Sequence, residues 1–143
     1  METTTHDPRQ PIEARQITDA RQRLDFLPRH FARHMLLVED AVYAFMRHLV
    51  PQYKGGFWHY YELSNGGAYL APEMGTEKVT LRVLGNGFEG EMTPDAAGIT
   101  ACLFALSHLS FQVRTETISN HFYQLREYAL EHPEGRAILE AID

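Results

Sequence analysis

The 143-residue chain predicts an α+β fold, a single domain in which a small antiparallel three-stranded sheet packs against about four helices. Three observations carry that expectation. A long apolar period of alternating four and three residues follows Pro28, an aromatic hairpin pattern occupies 57–71, and three further helical stretches follow from Thr93 on.

Residues 1–22 hold three consecutive Thr, Pro8 and Pro11 and no apolar period in their first eighteen positions, so they are expected to form a mobile tail ahead of a domain spanning 23–143. Pro28 suits the first turn of a helix. Phe31, Met35, Val38, Val42, Phe45 and Leu49 then recur on one face, with a break expected near His34. Pro51 and Gly55-Gly56 end that helix.

Phe57 to Leu63 alternates as a strand, Ser64-Asn65-Gly66-Gly67 reverses the chain, and Ala68 to Ala71 returns as the second strand. Lys78 to Leu84 is expected to add the third, with Val79, Leu81 and Val83 facing the core. Gly85-Asn86-Gly87-Phe88-Glu89-Gly90 reads as a glycine-rich loop. Thr93-Pro94-Asp95 starts a helix with a hydroxyl cap, a first-turn proline and a carboxylate near the positive end of the dipole. The following stretch to Leu109 is apolar almost all round and belongs at the centre of the fold. An amphipathic helix over 117–132 and a short closing helix over 134–143 complete the order.

Composition excludes several function classes. With one cysteine, Cys102, the chain can form no internal disulfide and no cysteine-based metal cluster. It holds no apolar run of the roughly twenty residues a membrane span needs, so a cytoplasmic protein is expected. The net charge of −6 also rules against imitation of DNA. A domain this size is roughly 35 to 40 Å across, and duplex DNA of that length carries about twenty negative charges. Binding to DNA would need a basic stripe, and only the arginines at 9, 15, 21, 23, 29 and 33 offer one, interrupted by Glu13, Asp19 and Asp25.

No residue set stands out as catalytic, cofactor-binding or metal-ligating. His30 and His34 have helical i, i+4 spacing but lack the intervening Glu of a zinc-protease motif and a marked third ligand. The loop 85–90 has the spacing of a dinucleotide-binding turn without its βαβ setting, and structural turning accounts for it. Cys102 falls inside the most apolar helix, where its thiolate is disfavoured. Ser64 and Ser107 lack a nucleophile-elbow context. Glu62 and Glu89 would serve as a carboxylate pair only if the fold brought them together. Trp58, Tyr60 and Tyr69 could stack bases, but only Lys54 lies nearby to neutralise phosphate.

Several longer motifs run in order: Arg23-Leu24-Asp25-Phe26-Leu27-Pro28-Arg29-His30-Phe31, then Tyr60-Tyr61-Glu62-Leu63-Ser64-Asn65-Gly66-Gly67 with Ala71-Pro72, then Gly85 to Glu91, Asp95-Ala96-Ala97-Gly98-Ile99 and Leu125-Arg126-Glu127-Tyr128. Together they resemble the ArdB/KlcA family of antirestriction proteins carried by plasmids and other mobile elements. The resemblance covers nearly all of the chain after residue 22. It implies a small cytoplasmic protein that protects incoming DNA from type I restriction-modification systems, with no cofactor and no catalytic residue. The implied partner is the type I restriction enzyme complex, met directly or through another host factor, with no membrane involved. The alternative is a DNA-binding module using the Arg-rich segment 9–33. Loops on a rigid scaffold are where a partner surface is sought. The candidates are Arg29, His30, Ser64, Asn65, Gly66, Asn86 and Glu89, with turn-forming as the competing role for Asn65 and Asn86.

Overall fold

The structure, a computed structural model, describes residues 7–143. Strand β1 covers Ala14–Ile17, followed by helix α1, Ala20–Phe31, a single 3-10 turn at Ala32–His34, and α2, Met35–Leu49. Strands β2, Trp58–Leu63, β3, Ala68–Pro72, β4, Val79–Val83, and β5, Phe88–Met92, come next. Helices α3, Pro94–Gln112, α4, Glu116–Glu131, and α5, Gly135–Ile142, close the chain. The α+β class and single domain agree with the sequence, whereas the make-up of the sheet does not.

The three-stranded sheet has the order β1-β2-β3 and is antiparallel throughout. Its third strand is therefore β1, out of the segment expected to be a tail. Ala14 lies opposite Leu63 and Ile17 opposite Tyr60, and Ile12 and Ile17 are buried in the core. The tail expectation is thus corrected from Ile12 onward, where the chain joins the core and the sheet, while its first six residues lie outside the described ones. β4 pairs instead with β5 in a separate two-stranded sheet, so half of the presumed glycine-rich loop is a strand.

The first helix also starts earlier than Pro28. Asp19 caps α1 by accepting from the Gln22 N–H at 3.0 Å, and Pro28 lies inside the helix. Lacking an N–H, Pro28 leaves the helix short of one bond, and the helix ends three residues later. Ala32 sits there at φ +49°, and the chain turns into α2.

Helix α3 is the hub, packing against α2, α4, α5 and β3. Its Thr93 cap accepts from the Ala96 N–H at 3.2 Å, as the sequence predicts. Phe45 of α2 stacks on Phe104 of α3 with centroids 5.6 Å apart. Against β3 the approach is closer than any side chain would permit. A Cβ on Gly98 would stand 2.5 Å from the Leu70 carbonyl oxygen and 2.6 Å from the Ala71 Cα. One helical turn on, Cys102 reaches the same strand: its sulfur accepts from the Leu70 N–H at 3.4 Å and its thiol donates to the Leu70 carbonyl at 3.6 Å. Burial pushes that thiol up to about 12, which removes it as a nucleophile and leaves it a seal on the strand edge.

Candidate functional site

The partner-surface candidates gather in part around Glu62 on β2. Pairing of β1 with β2 sets Arg15 opposite Glu62, and the last turn of α1 brings Arg29 and His30 to the same carboxylate. Arg15 donates to Oε1 at 2.9 Å, Arg29 to Oε2 at 2.6 Å and His30 Nε2 to Oε2 at 2.9 Å. Glu62 is 14% exposed, against 66% for Arg15 and 47% for Arg29. Burial works to raise the Glu62 carboxyl, but bonds from Arg29 and His30 outweigh it and hold the group below the ordinary carboxylate range. Burial lowers the His30 imidazole against the pull of Glu62. A neutral His30 donating from Nε2 fits both directions.

Behind His30 lies His121 of α4, with ring centroids 5.2 Å apart and the Phe31 ring 4.6 Å away. His121 is buried, its Nδ1 meets no hydrogen-bond partner among the described residues, and desolvation pulls its imidazole down to about 4. In front of Glu62 an open groove of about 340 Å³ runs between Glu13, Arg15, Arg29, Leu63 and Ser64. Ser64 is bound into the floor: its Oγ accepts from the Glu13 N–H at 2.8 Å, and its own N–H donates to the Glu13 carbonyl at 2.8 Å.

Arg29, His30 and Ser64 therefore share one site with Arg15 and Glu62. Asn65 and Gly66 adjoin it but act as turn residues. The Gly67 N–H donates to Asn65 Oδ1 at 3.0 Å, Asn65 Nδ2 donates to the Gln124 carbonyl at 2.9 Å, and Gly66 holds φ +94°, which a glycine adopts without penalty. Asn86 repeats the device in the other hairpin, accepting from the Phe88 N–H at 2.9 Å and donating to the Ala141 carbonyl at 2.8 Å. Glu89 pairs with Arg82 across that hairpin, in a different sheet from Glu62. The suggested Glu62 and Glu89 pair is not formed.

Arg15 belongs to the arginine series weighed for DNA but is absent from the partner-surface candidates, because it falls in the presumed tail. No local signal marks it, since its link to Glu62 spans 47 residues.

A second polar network joins β3 to the C-terminal helices. Tyr69 donates its hydroxyl to Asp95 Oδ1 at 2.8 Å, and His132 Nε2 meets Asp95 Oδ2 at 2.9 Å. His132 Nδ1 accepts from the Glu134 N–H at 2.9 Å, so its proton must sit on Nε2 and point to Asp95. Thr93 donates from both its N–H and its hydroxyl to Glu134. These bonds lock the start of α3 in place.

The arginines suggested for DNA binding are largely engaged within the chain. Arg9 pairs with Asp7, and Arg15 and Arg29 with Glu62. Arg23 donates to the Trp58 carbonyl and lies over the Phe57 and Tyr60 rings at 4.5 and 4.3 Å. The aromatic strand is likewise spent on packing, with Tyr60 stacked on Phe26 and Tyr61 on Tyr69, each at 4.7 Å. Among the described residues no group of three or more His, Cys, Asp or Glu is arranged to hold a metal ion, and no helix is long and apolar enough to cross a membrane.

The molecule is thus a mixed α+β fold with a helix-sealed sheet and an arginine and histidine clamp on Glu62. Comparison with known proteins gives the family. The model of the antirestriction protein family matches residues 51–143, and the chain belongs to that family. It is 46% identical over 139 residues to the antirestriction protein KlcA of Escherichia coli, a match covering 94% of this chain and 96% of that protein. It is also 42% identical over 126 residues to the uncharacterized protein YafX of Escherichia coli strain K12, covering 85% and 82%. A solved structure from work on KlcA and ArdB superposes with a TM-score of 0.81 at 44% identity, with both chains covered completely. That work describes a novel fold and antirestriction activity against type I DNA restriction systems in vivo but not in vitro.

Proposed function

We propose that this chain relieves type I restriction in the cytoplasm of its host, without catalysis and without imitating DNA, through contacts with a host protein. The observation that carries this reading is the near full-length match to KlcA at 46% identity, in a chain whose fold superposes on the KlcA and ArdB work along its whole length. The net charge of −6 is too small for a DNA mimic of this span, which supports the second exclusion. Burial of Cys102 and the internal use of Asp95 and His132 support the first. The partner is the type I restriction complex or a host factor acting with it. Activity of the relatives in vivo but not in vitro favours the host factor. The surface assigned to that contact is the Glu62 groove with Arg29, His30 and Ser64, together with the neighbouring Asn65-Gly66 turn. Asn86 and Glu89 are the less favoured patch, since Asn86 anchors the end of the chain.

Plating unmodified phage on a type I restricting host, with and without the protein, tests the reading. Expression is expected to raise plating efficiency, and unchanged restriction would overturn it.

A further inference from the structure

The two long edges of the three-stranded sheet are treated differently, and the difference points to where a partner attaches. In an antiparallel pair, opposite residues alternate between exchanging hydrogen bonds and turning their backbone groups away. The Ser64 N–H donates to the Glu13 carbonyl, so Glu13 and Ser64 form a bonded pair. By alternation Arg15 bonds with Glu62 and Ile17 with Tyr60, and Ala14 and Gln16 direct their N–H and C=O groups away from β2. Both residues are exposed, and no described residue bonds to those backbone groups. On β3, by contrast, the outward groups of Leu70 are taken by Cys102.

We infer that the outer edge of β1 is the docking line for an extended segment of a partner protein, which adds as a fourth strand carrying an acidic residue opposite Arg15. This rests on the reading that the protein acts by protein contacts. Main-chain bonds to Ala14 and Gln16 supply the attachment, and side chains facing β1 supply the selection. Arg15 spends one N–H on Glu62 and is otherwise largely exposed. Glu62 is already matched by three donors, so the remaining N–H groups of Arg15 are open to a second carboxylate, with Arg29 beside them in the groove. Glu13 lies two residues from Arg15 on the same face and also lines the groove. It disfavours an acid at its own position and favours a base. The pattern recognised is thus an acid and a base two residues apart on an extended strand. On the opposite face Ala14 leaves room for a large side chain, while the Gln16 amide is held by His59 Nδ1 at 3.1 Å.

The experiment uses the full chain in the phage-plating assay with two variants. Ala14→Pro removes an outward N–H and leaves the bonds of Glu13 and Arg15 to β2 in place. Arg15→Glu reverses the charge that selects the partner. Circular dichroism and thermal midpoints establish that each variant folds. The expected result is a loss of protection of about tenfold or more in each folded variant. A folded Ala14→Pro protein that protects fully would overturn the edge, while the proposed function stands on the wild-type result. If Ala14→Pro fails to fold, Arg15→Glu decides: full protection by a folded variant overturns the proposal and loss supports it. Sedimentation of the wild type as a dimer that Ala14→Pro dissolves would place a second copy on the edge, overturning the heterologous partner. Absence of protection by the wild type would instead remove the functional reading itself.

Discussion

The two edges of one small sheet face the same problem and meet it in opposite ways. At β3 a helix lies across the strand so closely that only a glycine fits, and a thiol takes up the exposed backbone groups. At β1 the strand is four residues long, bears a charged side chain and leaves two residues with outward backbone groups. Short, charged strands are how soluble proteins keep an open edge from pairing indiscriminately. A sealed edge therefore belongs to stability and an open one to selective contact. Substitutions at the two edges should separate accordingly.

The largest effect is expected on the sealed side. Gly98→Ala forces a methyl group against the β3 backbone and should cost about 3 kcal/mol or more, read from urea denaturation. A cost under half of that would mean that α3 and β3 part more easily than their spacing suggests.

Next comes a pH effect located behind the open side. His121 is held neutral by burial, its pKa near 4 in the folded state and near the ordinary 6.5 when unfolded. Protons therefore favour the unfolded chain. The contribution is intact above about pH 6.5 and is lost as pH falls toward 4, on the order of 3 kcal/mol in total. His30 is displaced in the same direction, and Glu62 loses its contribution only at lower pH, as its depressed carboxyl protonates. Urea midpoints between pH 7.5 and 4.5 should fall, and His121→Phe should flatten the curve. An unchanged slope in that variant would assign the dependence elsewhere.

Cys102→Ala is expected to cost about 2 kcal/mol, because the Leu70 N–H and carbonyl lose their partner in a buried setting. Faster hydrogen exchange at the Leu70 amide, with little change at Tyr61, would tie the loss to the sealed edge. The smallest stability effect is expected at the open edge. Arg15→Ala should cost under about 1 kcal/mol, since the pair is made by a largely exposed side chain. A much larger value would make Arg15 a structural clamp and weaken its claim to a partner.

The same contrast explains what could be read in advance. The start of α3 was legible because Thr93, Pro94 and Asp95 act locally, and the β2-β3 turn because Asn65 and Gly66 carry their own geometry. Strand β1 was not, since Ala14-Arg15-Gln16-Ile17 has one strongly apolar residue and no alternation. Its strand character comes from β2, supplied by residues about 45 positions away. β5 was hidden for a related reason, its inner positions being Glu89, Gly90 and Glu91. Helix α1 was mistimed because Pro28 signals a beginning more loudly than Asp19 does. At the candidate site Arg29, His30 and Ser64 were visible singly, but the group that gathers them, Glu62, was weighed against Glu89 instead. Only the fold could say which charges meet.

Cys102 is the one cysteine in the chain, and its sulfur is reachable only when α3 and β3 separate. The rate at which a thiol reagent labels the native protein is therefore a clock for that separation, present without engineering. Run in the presence and absence of a bound partner, it would report whether filling one edge of the sheet slows the opening of the other.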